Sequence, residues 1–114
     1  MCLCKYRIYL IAVISILAIM TIQEYKESLT KDNLPPELSV QLQALWYDAK
    51  GNWQKAHDLI DHLNDSTSAH IHAYLHRVEG DLWNARYWYN RAKQPEFKGT
   101  LEEEWNYLLK LYIK

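Results

Sequence analysis

From residue 38 onward, apolar positions recur at spacings of three and four and nowhere alternate with period two. Leu38, Leu42, Leu45, Trp46 and Ala49 form one stripe, and Trp53, Ala56, Leu59, Ile60 and Leu63 form a second. Ala69, Ile71, His72, Ala73, Leu75, His76 and Val78 make a third. This is the period of helices with one apolar face, not of half-buried strands. The breaks between stripes carry start and stop signals. Pro36 suits the first turn of the first helix, and Gly51 ends it. The polar run Asn64-Asp65-Ser66-Thr67-Ser68 is rich in residues that cap helix starts. Gly80 ends the third helix, and Asp81 caps a fourth that runs to about Lys93, before Pro95. Thr100 and Glu103 have the spacing of a capping box. They open a last helix, 101–113, with Leu101, Trp105, Leu108, Leu109 and Tyr112 on one side. The pattern predicts an all-α fold.

The helical segments repeat. A shift of 29 residues places Ala44 on Ala73, Gly51 on Gly80 and Ala56 on Ala85. A short repeat of this kind implies stacked helical hairpins, because a single hairpin cannot bury its own apolar face. Alanine lets two helices approach closely, and glycine ends a helix where φ turns positive.

This frame resembles the tetratricopeptide repeat. The second helix of that family opens Gly-x-aromatic-x-x-Ala, with an aromatic four residues after the Ala and another Ala seven after it. Gly80, Ala85, Tyr89 and Ala92 fill those places, with Leu82 at the first aromatic position. Gly51, Trp53 and Ala56 match in the earlier copy, where Ile60 and Leu63 depart from the pattern. Ala44 and Ala73 match the small position of the first helix. The repeat is shorter than the family's usual length of about 34 residues, which implies a tighter turn. The segment His72-Ala73-Tyr74-Leu75-His76-Arg77 with Glu79-Gly80-Asp81 is also similar to a set of short bacterial proteins of uncharacterised function. The resemblance to the repeat family implies two stacked hairpins over about 37–95, with the helix at 101–113 capping the exposed end. It also implies a concave face of the kind that binds an extended peptide. Gln41, Leu45 and Asp48 map onto that face from the first helix, and His70, Tyr74 and Arg77 from the third. An Asp48–Arg77 ion pair would link them. The expected role is a protein-interaction module with a protein or peptide partner and no catalytic activity of its own.

The amino-terminal part has a different character. Lys5 and Arg7 precede 15 uncharged residues, Ile8 to Ile22, interrupted only by Ser15 and Thr21. As helix this is about 22 Å, short of the roughly 30 Å hydrocarbon core, and flanking residues would have to snorkel. Residues 1–22 therefore read as a membrane anchor, with the membrane met at 8–22, or as a cleaved signal segment. The poor cleavage site at Ala18-Ile19-Met20 favours the anchor. The positive charges before it place the following domain outside the cytoplasm. A secreted or periplasmic product after cleavage, or a cytoplasmic protein with a start-site extension, are the alternatives. Residues 23–34 mix charge signs without an apolar stripe and read as a linker, with a helical continuation of the anchor as the alternative, closed by Pro35-Pro36. The folded domain is then 35–114.

The formal net charge of -1 supplies no field that would gather nucleic acid. Both cysteines precede the apolar run, so the domain has no thiolate metal site. No glycine-rich phosphate loop, nucleophile elbow or Cys-His arrangement is present, and no cofactor is expected. The remaining candidate chemistry is His72 and His76. Four residues apart, they project from one helix face and form the alternative reading, an enzyme or a ligand- or metal-binding protein. A transition metal would need further ligands, for which His57, His62, Asp48, Asp61 and Glu79 are available. The competing explanation is a pair of packed histidines hydrogen-bonded to their neighbours. The aromatics Trp83, Tyr87, Trp88 and Tyr89 are expected mostly to pack between hairpins.

Overall fold

A computed structural model describes residues 20–114. The described residues are all-helical: α1 (Ile22–Thr30), α2 (Val40–Ala49), α3 (Trp53–Ile60), α4 (Ser66–Val78), α5 (Leu82–Ala92) and α6 (Leu101–Tyr112). No helix among them is long and apolar enough to cross a membrane. Most of the membrane segment expected at 8–22 lies outside the described residues. Its last three belong to the folded domain instead. Thr21 caps α1, and Met20 and Ile22 pack against the core.

The linker reading of 23–34 gives way to α1. Thr21 and Glu24 close a reciprocal capping box, satisfying two amide donors at the helix start. Ile22, Tyr25 and Leu29 then make a one-residue-wide stripe. Tyr25 is fully buried, its ring 6.0 Å from that of Trp105 and its hydroxyl bonded to the Leu42 carbonyl. Burying such a ring is worth about 2–3 kcal/mol, enough to make α1 part of the fold. The first predicted helix also starts later than Pro36. Glu37 takes φ 66°, which breaks any helix there, and Ser39 caps α2.

The two inter-helix turns are equivalent atom for atom at the 29-residue shift. Gly51 and Gly80 have φ 82° and 85°. Gly51 N–H bonds the Asp48 carbonyl and Asn52 N–H the Tyr47 carbonyl. Gly80 N–H and Asp81 N–H do the same with Arg77 and His76. This is the paired bonding that closes a helix C-terminus. Asn52 and Asp81 then cap α3 and α5 through Lys55 N–H and Asn84 N–H. The turns return α3 onto α2 and α5 onto α4. Ala56 and Ala85, both essentially buried, fall at equivalent positions in α3 and α5.

α4 is the central helix, with every residue from Ser68 to His76 buried. One of its faces joins the main core of Tyr25, Leu42, Leu45, Ile60, Leu108 and Leu109. A smaller cluster of Ala73, Ala85 and Tyr89 seals it to α5. α6 does not sit over the free end of the second hairpin, as the cap reading requires. It crosses α2 and α4, with Trp105 Nε1 donating to the Leu45 carbonyl at 3.0 Å.

Candidate functional site

α4 buries four polar residues, Ser68, His70, His72 and His76. Buried polar groups cost free energy unless paired, so their partners decide what each face of the helix is for.

On the side toward α2 and α6 the pairing is complete, and it consumes the residues expected to form a peptide-binding face. Gln41 donates to Ser68 Oγ at 2.8 Å. Leu45 is fully buried. The Tyr74 hydroxyl donates to Asp48 at 2.8 Å, and His70 Nδ1 meets the Tyr112 hydroxyl at 2.7 Å. Arg77 does not pair with Asp48. Its guanidinium donates to Glu104 at 2.5 Å and to the Gly99 carbonyl at 2.8 Å. Glu104 is fully buried and also accepts from the Tyr89 hydroxyl. Desolvation opposes the Arg77 charge, but the Glu104 bond and charge prevail and hold its pKa above the usual value. Gln41, Asp48, His70, Tyr74 and Arg77 are thus held by bonds among α2, α4, α6 and the Gly99 loop, and the Leu45 carbonyl accepts from Trp105 of α6. That face is filled by the chain's own α6 over most of its length.

On the side toward α3 and α5 the pairing is incomplete. His57 from α3 joins His72 and His76 from α4. One ring nitrogen from each of the three lies within 4.8 Å of one from each of the others. His57 Nε2 and His72 Nε2 are 3.0 Å apart, so a single proton can sit between them. His72 Nδ1 is buried and has no partner at all. His76 Nδ1 bonds Glu79 at 2.6 Å, which leaves its Nε2 free. Indole rings orient the imidazoles. Trp53 stacks on His57 with centroids 4.8 Å apart, and Trp88 stacks on His72 at 3.9 Å. Trp53 is itself fixed by an Nε1–H bond to the Leu75 carbonyl at 2.7 Å.

Burial, reinforced by the neighbouring His57 and His76, pushes the His72 pKa down to about 3. Its ring is neutral at physiological pH, the protonation state that binds metals. The arrangement offers three imidazoles, one already oriented by a carboxylate. That is the donor set of an open transition-metal centre with a fourth position left for water.

His72 and His76 come together with His57, whereas Asp48 and the exposed His62 do not join them. Asp61 approaches His57 Nδ1 only at 3.9 Å. His57 has a sequence signal. It lies four residues after Trp53 and three before Ile60, on the apolar stripe of α3, where a polar residue is out of place. Glu104 and Trp88 carry no such signal, since their roles depend on how α5 and α6 dock. No protein-family model, curated protein or solved structure matches this chain.

Proposed function

We propose that this protein is a small helical-hairpin module that binds one divalent transition metal through His57, His72 and His76. The observation that carries the reading is the convergence of three imidazole nitrogens within 4.8 Å, one of them on a buried ring whose Nδ1 has no partner. Two nitrogens on one tetrahedral zinc, each about 2.0–2.1 Å from it, stand about 3.3 Å apart. The His57–His72 spacing is already near this value, and His76, whose ring stacks on His72 with centroids 4.8 Å apart, must turn out of the stack and move by about 1–2 Å. Imidazole donors favour zinc, nickel, cobalt or copper(II) over magnesium or calcium. Glu79 would fix the His76 tautomer and strengthen it as a ligand. The reading assigns no reaction to the centre.

The two hairpins are proposed as a tetratricopeptide-like pair with a shortened repeat, supported by the matching turns at Gly51 and Gly80. An interaction role is the second reading. One observation favours it: Trp83, 71% exposed, with Leu82 and Tyr87 beside it on the outer face of α5. An anchor ending before Met20 is compatible with either role and is required by neither.

Calorimetric titration of the chelator-stripped chain with zinc, and cobalt absorption spectroscopy, test the metal reading. The expected result is one equivalent bound with Kd of about 1 μM or tighter and tetrahedral cobalt bands. His72→Ala should weaken binding at least about 100-fold, while His62→Ala, at an exposed position outside the cluster, should not. Substoichiometric binding, or equal binding by His72→Ala, would overturn it.

A further inference from the structure

The face covered by α6 is not filled to its end. A cleft of about 480 Å³ remains where α1, α2, α4 and α6 meet, bordered by Leu29, Asp48, Ala49, Tyr74, Leu101 and Trp105. This is within the range of small-molecule sites, about 300–1,000 Å³. It lies away from the histidine cluster and shares no residue with it.

The electrostatics of the cleft have one sign at the floor. Asp48 is the penultimate residue of α2, and Leu29 and Thr30 are the last residues of α1. Two helix C-termini therefore border the cavity and turn the negative ends of their dipoles toward it, although the α2 carbonyls are bonded within the Gly51 turn and the Leu29 carbonyl accepts from Lys50. Asp48 adds a full carboxylate at a helix end that ordinarily favours a cation. One of its oxygens accepts the Tyr74 hydroxyl, a neutral donor. Among the described residues no lysine or arginine forms an ion pair with it. Lys26 borders the cleft without pairing to Asp48, and Lys50 is committed to Asp32 and to the Leu29 carbonyl. Desolvation pushes the Asp48 carboxyl above its usual pKa range, only partly offset by the Tyr74 bond. A charge in that position is stabilised by a cation brought to it. Leu29, Ala49, Leu101 and Trp105 give the wall an apolar part, and Glu102 and Asn106 of α6 line it with polar groups.

We propose that this cleft binds a small organic cation, a primary amine or guanidine carrying an apolar arm, with the Asp48 carboxylate as its counter-charge. The ammonium group sits against Asp48 and the two helix ends, and the arm lies along Leu29, Leu101 and Trp105. A hard divalent cation is excluded by the donor set. Calcium takes six to eight oxygens and magnesium about six, whereas the side chains lining this cleft offer the Asp48 and Glu102 carboxylates, a few neutral oxygens and an apolar wall, with the Lys26 ammonium beside them. An extended peptide is excluded by length, because α6 occupies the remainder of the face.

The test uses the full-length chain with phenethylamine as probe and 2-phenylethanol as its neutral counterpart, followed by amide chemical shifts. The amine should give saturable shifts in α1, α2 and α6 with Kd below about 1 mM, and the alcohol should bind at least about tenfold more weakly. Asp48→Asn should lower amine affinity at least about tenfold, and His72→Ala should leave it unchanged, which separates this site from the metal reading. Equal affinity for amine and alcohol, the absence of saturable shifts, or undiminished binding by a folded Asp48→Asn chain would overturn the proposal. The amine–alcohol comparison needs only the wild-type chain, so a misfolded variant does not leave the question open.

Discussion

The two faces of α4 solve the same problem in opposite ways. Each buries imidazoles in the middle of the domain. Toward α6, His70 meets Tyr112, and Arg77, Glu104 and Tyr89 form a closed network. Toward α3 and α5, three imidazoles come together, and one of them, His72, meets His57 through Nε2 while its buried Nδ1 has no partner. A completed network rigidifies a packed interface. An incomplete one with preoriented neutral rings is a reason to look for a ligand. The lesson is that polarity inside this helix does not mark function. The state of pairing does, and the face that resembles a peptide groove in sequence is satisfied along most of its length and open only at the Asp48 end.

The comparison breaks most readily at Arg77. Arg77→Ala leaves the fully buried Glu104 with only the Tyr89 hydroxyl, and stranding a buried charge costs about 3–5 kcal/mol. Urea denaturation should show a loss of that size. The double variant Arg77→Met, Glu104→Leu should recover most of it, because a well-packed apolar pair replaces a buried ion pair at little cost. A loss below about 1 kcal/mol for Arg77→Ala, the value of a surface pair, would mean the network is not closed.

Acid should unfold the domain through both faces. Burial holds His70 at about 4 and His72 at about 3, against an ordinary value of 6.5. Both are neutral in the folded and unfolded chain above pH 6.5, so their contribution is fully present there. As pH falls below 6.5 the unfolded chain takes up protons first, and stability is lost until the folded values are reached. At pH 5 the loss is on the order of 2 kcal/mol for each ring. Chemical denaturation at pH 7 and pH 5 in chelator measures it. Equal midpoints at the two pH values would mean that these rings are not buried neutral.

Much of the fold can be read locally. Asp81, Thr100 and the paired glycines act through bonds that span three to five residues, so the starts of α5 and α6 and both turns follow from residue chemistry alone. α1 is harder to see because Ile22, Tyr25 and Leu29 give a stripe one residue wide among Glu24, Lys26, Glu27 and Lys31. Charge dominates the local pattern there, while one buried tyrosine decides the packing. The position of α6 has no local signature. An apolar stripe says that a helix must dock but not where, and the Trp105–Leu45 bond joins residues 60 apart. The histidine cluster is half legible: the i, i+4 spacing sets His72 beside His76, but His57 arrives through the docking of α3.

The finest discrimination comes from replacing one imidazole on each face by leucine in metal-free conditions. His70→Leu removes the 2.7 Å bond to Tyr112. Tyr112 is only partly buried, so its hydroxyl can turn to water, and the expected cost is about 1 kcal/mol. His72→Leu forfeits the stack on Trp88, worth about 0.5–1.5 kcal/mol. It also forfeits the His57–His72 bond, worth about 1 kcal/mol, and removes a buried nitrogen whose lack of a partner costs about 1–3 kcal/mol. These terms oppose, so His72→Leu should lie within about 1 kcal/mol of wild type, on either side of zero. Saturating zinc should then reverse the ranking. A ligand at about 100 times its Kd adds about 2.7 kcal/mol to a chain that binds it, so His70→Leu should gain that increment and His72→Leu should not. Urea midpoints with and without zinc provide all four values. If His72→Leu costs more than His70→Leu without metal, the unpaired nitrogen is better stabilised than its surroundings indicate, and the contrast between the two faces fails.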